Sequence, residues 1–110
     1  MDEKILFDLV NPSFVIKFAG KEFTVRKANL EKAILYQERL RELVDKKDSA
    51  IDIKIAAYCL YLVLKDSDPS ITEEYVIKNS PASINSLEWI ETLGFMTPQK
   101  KVESLKNQGV

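Results

Sequence analysis

The stretch IDIKIAAYCLYLVL, residues 51–64, decides the fold of this chain of 110 residues. Its second half, residues 55–64, carries no charged side chain. The stretch is too long for an ordinary strand and too short to cross a bilayer, so it predicts a helix that its neighbours cover on nearly every side. The rest of the chain is expected to pack around this central helix.

Length and charge define the broad class of protein. A chain of this length is the usual size of one domain and buries roughly two thirds of its unfolded surface, so we expect a single domain over residues 1–110. The formal net charge is -1, which favours neither nucleic acid nor an anionic membrane as a partner. The opening residues, MDEKILFDLVNP, lack the features of a signal peptide, which predicts a cytoplasmic protein.

The residue types present offer little for catalysis or metal binding. The chain has no histidine, the commonest general base and metal ligand, and its single Cys59 lies in the apolar stretch, where a thiol usually serves as a small inert core residue. An EF-hand loop beginning at Asp66 would need glycine where Ile71 stands and glutamate where Ile77 stands. No nucleophile–base motif or phosphate-binding glycine loop occurs. We expect no catalytic residue, no cofactor and no metal.

Residues 13–28 alternate between apolar and polar side chains, and this period of two predicts a β-hairpin. A two-residue turn at Gly20 and Lys21 would set Phe18 opposite Phe23. One face of the hairpin is then apolar and must cover the helices or another chain. Its outer edges leave strand addition to a partner open.

A helix over residues 29–47 is predicted, with Asn29 as its N-cap. Apolar residues recur along it at helical spacing, and a second set widens the apolar side, so this helix is expected to touch more than one neighbour. The first set is Leu30, Ala33, Ile34, Leu40 and Val44, and the second is Leu35, Tyr36 and Leu43. Ser49 followed by Asp52 resembles a capping box at the start of the central helix, which is expected to end near Lys65.

Further helices are expected after the central one. Thr72 is predicted to begin a short helix, and Pro81 behind Ser80 to open another that Gly94 ends. A mainly α fold follows, with four to five helices packed around a central apolar helix and an N-terminal β-hairpin (α+β). Its predicted parts are an N-terminal arm or short helix at residues 1–12, the hairpin at 13–28, a helical core at 29–96, and a C-terminal helix or tail at 97–110.

The sequence WIETLGFM, residues 89–96, holds the candidate partner-binding residues. Large aromatic side chains and methionine around a helix-ending glycine would form an adaptable apolar surface if exposed. We therefore assign Trp89, Phe95 and Met96 as candidate partner-binding residues. The alternative, which fits Trp89 best, is that these side chains complete the core.

The layout of the chain resembles a known family. The hairpin sequence FVIKFAGKEFTVRKAN at residues 14–29 leads into a charged amphipathic helix and then an apolar helix, and LGFMTPQK follows at residues 93–100. A small acidic protein with this order of segments is similar to the tail assembly chaperones of long-tailed bacteriophages, and the similarity covers most of the chain.

The resemblance implies a non-enzymatic role in phage tail assembly. A protein of this family binds the long, mostly helical tape measure protein in the infected cell, keeps it soluble and helps to recruit tail tube subunits. It then leaves the finished tail, which places it in the host cytoplasm and not in the mature virion. The family has no catalytic motif to carry over to this chain.

Two other functions stay open at this point. One is a structural phage component, such as a tail or connector subunit, which would remain in the virion. The other is a small regulatory adaptor that binds proteins, or a nucleic-acid binder, against which the charge balance argues. A homo-oligomer is compatible with each of these functions.

Overall fold

The computed structural model describes residues 12–96 of the chain. Within this range the elements are β1 (Ser13–Phe18), β2 (Lys21–Arg26), α1 (Leu30–Asp45), α2 (Ile51–Ser67), α3 (Glu73–Asn79) and α4 (Ser86–Thr92). This arrangement confirms a mainly α member of the α+β class with an N-terminal hairpin, and the described part contains four helices. Apart from Pro12, the arm predicted at residues 1–12 lies outside the described residues, as does the helix or tail predicted at 97–110.

The α2 helix is the centre of the structure, as its uncharged second half predicted. Residues 55–60 and 62–64 are buried, and Cys59, Val63 and Leu64 have no exposed surface. The helices α1, α3 and α4 and the strand β2 each pack against α2. Each large apolar side chain buried in this way stabilises the fold by about 1.5–3 kcal/mol. Within residues 12–96, no helix has the length and apolar character needed to cross a membrane.

The hairpin turn lies one residue earlier than predicted. Ala19 and Gly20 are its two central residues, and both have positive φ angles, of 52° and 78°. Positive φ at both positions is the pattern of a type I′ turn, whose twist matches that of the two strands. Phe18 therefore pairs with Lys21. The prediction that Phe18 lies opposite Phe23 was wrong.

The observed register differs from the predicted one by two residues, but each side chain stays on its predicted face of the hairpin. Ile16 pairs with Phe23, and Lys17 pairs with Glu22. A shift of two residues keeps every side chain on its original face because side chains alternate along a strand. The ammonium group of Lys17 lies 3.9 Å from the Glu22 carboxylate. The apolar face was predicted correctly although the pairing was not.

Two helices begin where the sequence predicted, at Asn29 and Thr72. The side-chain oxygen of Asn29 accepts a hydrogen bond of 3.0 Å from the N–H of Lys32, and the Thr72 hydroxyl accepts one of 3.0 Å from the N–H of Tyr75. Each bond satisfies a backbone donor that the first turn of a helix leaves free. The starts of α1 and α3 follow from these local interactions.

The α2 helix begins without the predicted capping box. Its N-cap is Ala50, and Ser49 makes no cap. The carboxylate of Asp48 instead accepts hydrogen bonds from the ammonium group of Lys54 at 2.6 Å and from the N–H of Ala50 at 2.8 Å. These two bonds hold the pKa of Asp48 below its usual value. An ionised carboxylate is a stronger acceptor than a hydroxyl, which explains why Asp48 organises this turn.

The α4 helix begins at Ser86, five residues after the predicted start at Pro81. The hydroxyl of Ser80 donates to the carbonyl of Val76 at 2.7 Å, so it is engaged with the end of α3 and does not cap a helix at Pro81. The side chain of Asn85 caps α4. The prediction that Ser80 and Pro81 begin this helix was wrong.

The prediction that Gly94 ends α4 is confirmed. Gly94 has a φ angle of 92°, and the N–H of Phe95 then bonds to the carbonyl of Ile90 at 3.0 Å. A Cβ atom at Gly94 would lie 2.8 Å from the Cβ of Lys27 and 3.2 Å from the backbone nitrogen of Ala28. Gly94 therefore permits both the positive φ and the close approach of two segments.

The α1 helix buries only part of its predicted apolar side. Tyr36 and Leu43 are each 8% exposed. Leu30, Ile34 and Val44 are 83%, 58% and 53% exposed. Among residues 12–96, no element covers these three side chains, although α1 contacts more than one neighbour, as predicted.

Charged residues of α1 explain which side faces inward. The buried ammonium group of Lys32 pairs with the Asp66 carboxylate near the end of α2. The guanidinium of Arg39 donates to Glu73 at 2.7 Å and lies 3.8 Å from the centre of the Tyr58 ring. The hydrogen bond to Glu73 is the main cause that raises the pKa of Arg39, so the cation is stabilised where it joins three helices.

We expect Gly94→Ala to lower the free energy of unfolding by about 2–3 kcal/mol, because strain at positive φ adds to contact with Lys27 and Ala28. Gly20→Ala is the matched control, since its φ is also positive but nothing lies within 4 Å of the added Cβ. Its cost should be about 1 kcal/mol. Urea unfolding followed by circular dichroism measures both, and equal costs would show that the contact contributes nothing.

Candidate protein-binding surface

An apolar groove lies between the hairpin and α4. Its volume is about 300 Å³, and it opens to the surface. Buried Phe18, Leu60 and Leu93 contribute to its lining, together with half-buried Ile16 and Trp89. Three exposed polar residues complete the lining: Lys17, Glu88 and Thr92. The groove is apolar, with polar groups where it meets the solvent.

Local structure explains how each wall of the groove forms. Ile16 and Phe18 lie on the same face of β1 because side chains two residues apart on a strand share a face. Trp89 and Leu93 lie on the same side of α4 because side chains four residues apart are neighbours on a helix. Leu60 comes from the central helix. The groove forms where these elements meet.

The structure places the three predicted partner-binding residues in different environments. Trp89 is half-buried and lines the groove. Phe95 is only 9% exposed, and the centre of its ring lies 5.4 Å from that of Tyr36. Met96 is partly buried and packs against the core. Only Trp89 reaches the groove, and partner binding by these residues stays a prediction.

Phe95 is buried because the chain reverses at Gly94. The carbonyl of Leu93 accepts a hydrogen bond of 2.9 Å from the N–H of Ala28, which holds the end of α4 against the segment before α1. Phe95 follows at once and is directed to Tyr36 on α1. The aromatic–aromatic contact adds to the core, which was the alternative considered for this region.

The contribution of the hairpin to the groove was not predicted from the sequence. The period of two predicted that Ile16 and Phe18 share an apolar face, but it gave no sign that this face extends beyond its contact with α2 to border α4. Leu60 likewise gave no local signal, because every position from 55 to 64 is uncharged. The groove depends on how the hairpin and α4 lie on α2.

Burial shifts the pKa of three side chains in the described part of the chain. Burial raises the pKa of the Cys59 thiol to about 12, so the thiolate needed for nucleophilic chemistry does not form at neutral pH. Burial is also the main cause that raises the pKa of Tyr36 and of Tyr58. Across residues 12–96, no cluster of three or more histidine, cysteine or acidic side chains is arranged to hold a metal ion.

Comparison with known proteins gives no match to a family model, to a curated protein or to a solved structure. The comparisons therefore add no relative whose function could be considered for this chain.

We expect Cys59 to remain unreactive toward a thiol reagent in the folded protein and to react fully after unfolding in urea, because the side chain is buried and protonated. An ordinary thiol has a pKa of 9.0 and the folded one about 12. The buried neutral thiol therefore makes its full contribution to the free energy of unfolding below pH 9, and this contribution is lost as the pH rises toward 12. Absorbance of the released reagent measures the reaction, with Cys59→Ala as the blank. Rapid labelling of the folded protein would contradict this assignment.

Proposed function

We propose that this protein is a non-enzymatic phage tail assembly chaperone that binds the tape measure protein and assists assembly of the tail tube. The observation that carries the proposal is the open apolar groove between β1 and α4, with Trp89 in its lining. Support also comes from the resemblance of the hairpin and of residues 93–100 to the tail assembly chaperones of long-tailed phages.

The groove has the chemistry needed to hold apolar side chains of a client helix. A volume of about 300 Å³ is at the small end of protein binding pockets and suits anchor side chains better than a whole helix. An amphipathic helix presents such anchors at steps of three and four residues. Trp89 is the type of residue that contributes most to binding energy when a partner covers it.

A charged residue beside the groove can orient the client. Glu88 of α4 lines the groove and is exposed, whereas the Lys17 side chain pairs with Glu22 on the other face of the hairpin. A polar rim of this kind adds specificity more than affinity. The bound client would therefore place a basic or hydrogen-bond-donating group next to its apolar anchors.

A tape measure protein is the client class that the resemblance implies. Before the tail tube surrounds it, a long helical protein exposes apolar faces that would aggregate. Several chaperone copies along one client would act with avidity, and charged residues, which make up 30% of the chain, would keep the complex dissolved. Tail tube subunits would be a second partner during assembly in the host cytoplasm, and the chaperone would be absent from the mature virion.

The test is co-expression with the tape measure protein of the same phage, scored by client solubility and co-purification. Thr92→Arg places a long cation in the groove from an exposed position and should reduce co-purified client by roughly tenfold. Thr24→Arg makes the same change on the other face of the hairpin and should leave the complex intact. Circular dichroism confirms that both variants fold.

A client that stays insoluble beside the wild-type protein would reject the chaperone function. Equal loss with Thr92→Arg and Thr24→Arg would reject the groove as the binding site. Mass spectrometry of purified virions separates the main alternative, because a structural tail or connector subunit would be present in stoichiometric amount. Fluorescence of Trp89, the only tryptophan, offers a direct readout of groove occupancy by client peptides.

A further inference from the structure

The outward side of α1 carries a second apolar surface. Leu30, Ile34 and Val44 are all more than half exposed, at 83%, 58% and 53%. Exposed Gln37 and Arg41 lie between them. These five positions follow alternating steps of four and three residues, which is the repeat of a coiled-coil seam. We call Leu30, Ile34, Gln37, Arg41 and Val44 the outer seam.

The outer seam is distinct from the side of α1 that packs on the core. Tyr36 and Leu43 are buried on that inner side. At 100° per residue, the mean direction of the outer seam lies about 130° around the helix from them. Among residues 12–96, no element covers Leu30, Ile34 and Val44. The seam extends over about 21 Å of helix, the length of four turns.

An acidic row borders the outer seam. Glu31, Glu38 and Asp45 are exposed and follow one another at steps of seven residues. This spacing places them in one line beside the seam, at the positions that form ion pairs between helices in a coiled coil. The opposite border is formed by Ala33 and Leu40, which are half-buried and uncharged. Within α1, one border of the outer seam is therefore negatively charged and the other is uncharged.

We propose that the outer seam binds an amphipathic helix of another protein whose apolar seam is bordered by a row of lysine or arginine residues. Leu30, Ile34 and Val44 supply apolar contacts at the spacing that a helix recognises. The acidic row selects basic flanking residues, because charges at these positions set the choice of partner in helix pairs. Arg41 inside the seam favours a carboxylate at the facing position and so sets the register.

A second copy of this chain fits the outer seam poorly. In an antiparallel pair of two copies, the two acidic rows would face each other. Repulsion between like charges opposes this contact. In a parallel pair, each acidic row would meet the uncharged Ala33 and Leu40 border of the other copy. The charge pattern therefore favours a different, basic partner.

This inference does not rest on the proposed function. The groove is formed by β1, α4 and Leu60, whereas the outer seam belongs to α1 alone. A substitution that abolishes binding at one surface should therefore leave binding at the other unchanged. A protein with both surfaces could hold two helical segments at once.

The test uses a labelled synthetic helix of about five turns, with leucine and isoleucine at seam positions, lysine at the flanks and one glutamate to face Arg41. Fluorescence anisotropy with the full-length protein should show saturable binding. A control peptide with glutamate in place of the flanking lysines should bind at least about tenfold more weakly. Failure of the lysine peptide to bind, or equal binding of both peptides, would overturn the proposal.

Ile34→Glu separates binding in the seam from general attraction to an acidic protein. It removes an apolar anchor and adds a negative charge, so seam binding should weaken by roughly tenfold although the electrostatic attraction to the lysine peptide grows. Ile53→Glu makes the same change on α2 at a similarly exposed position, 53% against 58%, and should leave affinity unchanged or slightly higher. Stronger binding by both variants would overturn the proposal.

Two further measurements would show whether the outer seam binds a second copy of this chain or residues 97–110 of the same chain. Sedimentation of the wild-type protein as a dimer that Ile34→Glu converts to a monomer would assign the seam to a second copy. A gain of about tenfold in peptide affinity for Lys100→Glu/Lys101→Glu would assign it to residues 97–110 of the same chain. Either result would overturn the proposal of a separate partner. A monomer whose peptide affinity is unchanged by the Lys100 and Lys101 substitutions would support it.

Discussion

Burial of the uncharged half of α2 is the interaction on which the rest of the structure depends. Residues 55–64 expose almost no side chain once the other helices and β2 pack around them, with half-buried Tyr61 as the exception. Left in water, this segment would cost more free energy than any other, so the remaining elements are arranged to cover it. The hairpin, α1, α3 and α4 are each short or amphipathic and are stabilised mainly by this shared contact.

The surfaces proposed to bind partners are those parts of the covering elements that α2 does not use. The hairpin and α4 both reach past α2, and the space between them forms the groove with Trp89 in its lining. The α1 helix has apolar residues on two sides, and one helix contact buries only one of them. Each surface combines apolar anchors with nearby charge, which suits protein recognition and keeps the free protein dissolved.

Much of the fold followed from local patterns in the sequence. Asn29, Thr72 and Gly94 act within one or two turns of their own helices, and all three were assigned correctly. The start of α2 and the start of α4 were wrong because Asp48 and Asn85 compete with equally plausible neighbours for the same backbone groups. The hairpin register was wrong by two residues because a glycine with positive φ fits more than one position of a tight turn. The sequence within a few residues of a cap or turn does not decide which of two neighbouring residues will form it.

By itself, the sequence determined the central helix, the hairpin with its apolar face and the mainly α class, because these depend on periodicity and on uncharged length. Only the tertiary structure decided that Phe95 completes the core, that Ile16 and Trp89 line one groove, and that Leu30 and Ile34 face outward. These outcomes depend on where elements distant in the chain come to lie. The apolar spacing along α1 was compatible with either of two sides of the helix facing the core. Packing of Tyr36, together with the partners that Lys32 finds on α2 and Arg39 finds on α3, decides which side faces inward.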